Sequence, residues 1–88
     1  MPAIYPVRVP RQTYAGRDSR RRQRVADHNR RCADLERYLN DRLAGEELGR
    51  VSYTYDEIAR PVGLTTEEVS EALFPVDCGN NGLTVWKE

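Results

Sequence analysis

This 88-residue chain has few of the side chains that carry chemistry or staple a small fold. It contains two cysteines, one histidine, one methionine, one tryptophan and one phenylalanine. Cys32 and Cys78 are far apart and form no CxxC pair. With His28 they make three candidate ligands where a structural zinc site wants four, so no metal is expected. Cys32 falls on the apolar stripe of a helical pattern and reads as a buried free thiol. No glycine-rich phosphate loop follows a strand, and His28 has no nucleophile beside it. Neither catalysis nor a cofactor is therefore expected. No apolar run is long enough to span a membrane and no signal peptide is visible, so the expectation is a cytoplasmic chain without membrane contact. Net charge is absent too, because 14 basic residues cancel 14 acidic ones.

The cancellation hides an uneven distribution. Residues 1–31 hold nine arginines against two aspartates, a net of +7, and residues 32–88 hold five basic residues against twelve acids, a net of −7. A basic segment on an acidic body is the pattern of a chain that meets an anionic partner, or of two halves that pair with each other. At this length the chain makes one domain with a modest core.

Residues 1–18 contain Pro2, Pro6, Pro10 and Gly16. Proline removes a backbone donor and blocks regular helix, so this stretch is expected as an extended basic arm, with Ile4, Tyr5, Val7 and Val9 apolar enough to dock part of it. Residues 19–44 read as one long helix. Ser19 or Asp18 can cap it and Gly45 can end it. Val25, Cys32, Leu35, Leu39 and Leu43 form its apolar stripe, and the turns from Arg20 to Arg24 are expected to project. Gly49 to Thr54 alternates as a short strand, with Val51 and Tyr53 on one face.

The segment 54–73, TYDEIARPVGLTTEEVSEAL, is the most specific signal. Thr54 with Glu57, and Thr65 with Glu68, each fit the capping box, in which hydroxyl and carboxylate satisfy free backbone N–H groups reciprocally. Ile58 and Ala59 face inward on the first short helix, and Val69, Ala72 and Leu73 on the second. Gly63 stands where the chain must turn sharply. Pro61 bends the end of the first helix and Pro75 stops the second near Phe74. Val76 to Cys78, then Gly79-Asn80-Asn81-Gly82, then Leu83 to Lys87, reads as a hairpin with Leu83 and Val85 inward and Thr84 and Trp86 outward.

Helix, strand, two capped helices and a hairpin resemble a winged helix-turn-helix domain over residues 20–87. Ile58, Ala59, Gly63, Leu64 and Val69 carry the motif, and Gly79 to Lys87 the wing. The expected fold class is mainly α with a small antiparallel β wing, the arm at 1–18 and the winged domain at 19–88. The resemblance implies a DNA-binding transcriptional regulator, with a minority of such domains binding RNA or proteins. It places Thr65, Thr66 and Ser70 of the second motif helix for modest base readout in the major groove. Asn80, Asn81 and Lys87 would lie on the wing, although ordinary hairpin chemistry explains the two asparagines more simply.

The residues themselves point elsewhere for affinity. Glu67, Glu68 and Glu71 make the second motif helix acidic, and carboxylates repel phosphate. Acids near a helix N-terminus are commonly there for the dipole. The same three residues define the alternative, a module whose acidic helix binds a basic partner protein. Arg8, Arg11, Arg17, Arg20, Arg21, Arg22 and Arg24 are the expected backbone contacts, since arginine forks match phosphate oxygens. Arginine is unfavourable to the dipole at a helix start, so its clustering there hints at another use. RNA binding through this segment is a third possibility. A homodimer is expected through the long helix, because one short module makes few contacts alone.

Overall fold

A computed structural model describes residues 3–76 and 82–87. Its elements are β1 (Ala3–Ile4), α1 (Ser19–Ala44), β2 (Gly49–Thr54), α2 (Tyr55–Val62), α3 (Thr66–Leu73) and β3 (Gly82–Lys87). No helix among the described residues is long and apolar enough to cross a membrane.

The 26 residues of α1 span about 39 Å and account for most of the 45 Å long axis of the molecule. Of the two candidate caps, Asp18 is used. Its carboxylate accepts from the Arg20 and Arg21 N–H groups at 3.0 and 3.3 Å, a negative charge at the positive end of the helix. Gly45 closes the other end. Cys32, Leu35, Leu39 and Leu43 are fully buried, the stripe expected from their spacing. Nothing earlier in α1 is fully buried, so its first three turns extend past the core.

Both capping boxes form. Thr54 accepts from the Glu57 N–H at 3.2 Å, and Thr65 from the Glu68 N–H at 3.1 Å. In return each glutamate carboxylate accepts the N–H of its threonine. Between the helices Gly63 is left-handed, at φ 70° and ψ 30°. The Leu64 N–H reaches the Ala59 carbonyl at 3.0 Å and the Gly63 N–H the Arg60 carbonyl at 3.2 Å. These two bonds make a Schellman ending, which requires the positive φ that glycine adopts without a Cβ penalty. Ile58, Ala59, Val69, Ala72 and Leu73 are all buried against α1 and the sheet.

The sheet differs from the expected wing. Val76 stands in a turn, its N–H bonded to the Leu73 carbonyl at 2.9 Å, and is not a strand residue. Pro75 supplies no donor and restricts Phe74, which favours a turn there. The stretch 77–81 of the expected hairpin lies outside the described residues. The described partners of β3 are β2, antiparallel with Val51 opposite Val85, and β1, parallel with Ala3 opposite Val85. The order is β1-β3-β2, a mixed three-stranded sheet. Alternation on β2 and β3 coincides in this register. Tyr53, Leu83 and Val85 face the core, while Ser52 and Thr84 pair outside through their hydroxyls at 3.1 Å.

Candidate nucleic-acid interface

The arm is bound along α1. Val7 and Val9 are buried at 1% and 2% exposure. The Asn40 side-chain amide takes both polar groups of Val7, accepting its N–H at 2.7 Å and donating to its carbonyl at 2.9 Å. Glu36 accepts the Val9 N–H at 2.9 Å. Asn29 repeats the Asn40 arrangement on Gln12, at 2.8 and 2.9 Å. Residues 29, 36 and 40 fall on one stripe of α1, since steps of seven and four return to the same face. An extended segment cannot pair with itself, so its polar groups need side-chain partners. The stripe was visible in the sequence as Asn, Glu and Asn at that spacing, but nothing there said what it held.

This path decides which arginines are available. Arg11 is held by Glu36 at 3.1 Å and by the Val9 carbonyl. That guanidinium, followed by the Val9 N–H, holds the Glu36 carboxyl below its ordinary range. Arg30 pairs with Asp27 at 3.2 Å and Arg37 with Asp34 at 3.4 Å. Arg31 reaches across to Glu68 at 3.6 Å. Arg42 donates to the Tyr38 hydroxyl at 3.1 Å and stacks over the Tyr53 ring. Among the described residues no carboxylate lies within ion-pair distance of Arg8, Arg17, Arg20, Arg21, Arg22 or Arg24, and all six are exposed.

Five of those six surround the start of α1, and Tyr14 organises them. Its hydroxyl accepts the Asp18 N–H at 3.3 Å, and the Arg21 guanidinium sits 5.7 Å from its ring centroid. Arg22 donates to the Gly16 carbonyl at 3.3 Å. A Cβ on Gly16 would meet the far end of the Tyr14 side chain, so the bare glycine backbone lets that ring lie close against it.

The second motif helix is largely committed to the fold. Thr65 is the N-cap of α3. The Thr66 hydroxyl donates to Asp56 at 2.6 Å, which ties the start of α3 to the start of α2. Ser70 is half-buried. The Glu68 carboxyl is held below its ordinary range, first by the Thr65 N–H and further by Arg31. Glu67 and Glu71 stay exposed, without an ion pair among the described residues. The helix therefore presents two carboxylates where the resemblance implies base readout.

Lys87 is also spent. Its ammonium donates to the carbonyls of Leu43, Ala44 and Glu46 at 2.6, 3.1 and 2.8 Å, closing the C-terminus of α1. A cation at the negative end of a helix with three acceptors is a structural cap, which corrects its expected place on a wing surface. Asn80 and Asn81 lie outside the described residues. Arg8 is exposed but sits beside Asn40, away from the cluster at the start of α1.

Between the first turns of α1 and the outer side of α3 lies a cleft of about 450 Å³. Gln12, Arg21, Arg24, His28, Arg31 and Glu71 line it, with Val25 and Asp27. One wall is basic and the other carries Glu71. His28 Nε2 lies 3.4 Å from Cys32 Sγ, and burial pushes the Cys32 thiol up, so the sulfur stays protonated and inert.

No protein-family model, no curated protein and no solved structure matches this chain.

Proposed function

We propose that this chain is a small DNA-binding protein that grips the duplex backbone with the arginine-rich start of α1, through Arg17, Arg20, Arg21, Arg22 and Arg24. One observation carries the reading. Arg11, Arg30, Arg31 and Arg37 are paired with acids and Arg42 with a tyrosine hydroxyl, and Arg8, Arg50 and Arg60 are scattered, while these five stand together, exposed and without carboxylate partners among the described residues, at one end of an elongated molecule. Desolvating five guanidiniums is favourable only against dense negative charge. A role in regulating transcription is what the helix-turn-helix resemblance implies for such a binder. Contact through the backbone makes it indifferent to sequence, because Thr65 and Thr66 are engaged within the fold.

The test is a salt titration of duplex binding. Four to five phosphate contacts give a slope of log K against log salt of about −4, and Arg20→Gln with Arg22→Gln lowers its magnitude by about two. A flat salt dependence, or no duplex binding at low salt, overturns the proposal.

A second reading follows from the exposed Glu67 and Glu71. With the hydroxyls of α3 engaged, its free face suits a basic protein partner better than a groove. A complex that survives loss of the arginine cluster but dissociates on Glu67→Lys with Glu71→Lys would favour it.

A further inference from the structure

We infer that the cleft between α1 and α3 is a seat for a single phosphodiester group, with Arg21 and Arg24 as its ligands and Glu71 as the wall that matches its charge. The inference rests on the nucleic-acid reading above and names the anion chemistry of that surface.

The charges lining the cleft can be assigned one by one. Arg31 is neutralised by Glu68 at 3.6 Å, and Asp27 by Arg30 at 3.2 Å. His28 contacts Cys32. That leaves Arg21, Arg24 and Glu71 as the unpaired charges lining the cleft, a net of +1. No carboxylate is within ion-pair distance of either guanidinium among the described residues, so Glu71 lines the cleft without closing it. Arg21 is already placed by the Tyr14 ring, which lowers the ordering cost of binding.

A phosphodiester carries one negative charge, and two arginine forks can hold its two free oxygens. A phosphate monoester or inorganic phosphate carries about 1.5 to 2 negative charges near neutral pH. The second charge exceeds the net +1 of the cleft and is repelled by Glu71. The cleft thus favours an internal backbone phosphate over a terminal or free one. The same wall keeps the cleft from acting as a general anion sink.

The experiment is an NMR titration of the full chain, following the Arg21 and Arg24 side-chain signals. The probes are the dinucleotide thymidylyl-thymidine, which has one phosphodiester and no terminal phosphate, and inorganic phosphate. The expected result is that the dinucleotide shifts both signals at several-fold lower concentration than inorganic phosphate. Glu71→Gln should tighten inorganic phosphate by about threefold or more and erase most of that preference, the scale of one exposed charge pair. Arg24→Gln should lose both ligands and reduce the salt slope of duplex binding by about one. Arg24 and Glu71 are exposed, and unchanged melting temperatures would show that the variants fold. Equal or tighter binding of inorganic phosphate to the wild type, or no effect of Glu71→Gln, overturns the seat. If Arg24→Gln leaves duplex affinity intact while Arg20→Gln with Arg22→Gln lowers it, the seat is wrong and the interface stands. If neither duplex nor dinucleotide binds, both readings fall.

Discussion

Asn40 and Val7 exchange two hydrogen bonds, at 2.7 and 2.9 Å, across 33 residues of chain. A side-chain amide has one donor face and one acceptor face at the spacing of a peptide group, so Asn40 acts as a one-residue strand partner for the arm. It fixes where the arm crosses α1, and Asn29 fixes where it leaves.

Replacing Asn40 by alanine strands both polar groups of a buried valine. The expected cost is about 1–3 kcal/mol, from two unmet backbone groups in a partly buried place. Chemical denaturation measures it. Hydrogen exchange at the Val7 and Val9 amides should accelerate well before global unfolding. If protection at Val7 is unchanged, the clamp is not what holds the arm.

Gly63→Ala should destabilise the fold by about 1–2 kcal/mol, the ordinary penalty for a Cβ in the left-handed region. No atom lies within 4 Å of the added carbon, so strain in the turn is the whole effect. Gly63→Asn should cost less, because asparagine tolerates this conformation better. Equal losses for the two would point to a steric cause instead.

Lys87 and Arg24 separate stability from binding. Lys87→Met removes a cap with three carbonyl acceptors and should cost about 1–2 kcal/mol in thermal unfolding. It should leave the salt slope of duplex binding untouched. Arg24→Gln should do the reverse. A fall in duplex affinity with Lys87→Met, at temperatures where the variant is folded, would return Lys87 to the interface.

Acid should loosen the molecule through Glu36 and Glu68. Both carboxyls are held below their ordinary value of 4.5, Glu36 chiefly by Arg11 and Glu68 chiefly by the Thr65 N–H. A depressed carboxyl adds stability above its unfolded value, because the unfolded state takes up the proton first as pH falls. Their contribution is therefore complete at neutral pH, declines below about 4.5 and is lost as pH falls through the lowered folded values. Melting temperatures from pH 7 to pH 3 should drop, and the drop should be shallower in a Glu36→Gln, Glu68→Gln variant, which starts lower at pH 7. Parallel curves would show that neither carboxyl is coupled to folding.

Much of this structure was written locally. The α1 stripe of Cys32, Leu35, Leu39 and Leu43, both capping boxes and the Gly63 corner depend on residues within a few positions of one another. Spacing and backbone preference suffice for such features, which is why residues 19–44 and 54–73 could be read directly from the chain.

The rest needed contacts between distant segments. Four residues are enough to specify a capping box. Only the packed fold places Val7 beside Asn40, Lys87 at the end of α1, or Glu68 beside Arg31. The β3 strand had an adjacent candidate partner in the hairpin, yet its described register is with Val51 and Tyr53, where both alternations bury the same face. Charge followed the same rule. Composition determined that the first 31 residues would be basic, while tertiary contacts decided which arginines meet a carboxylate and which face solvent, because ion pairing depends on distance in space and not on position along the chain.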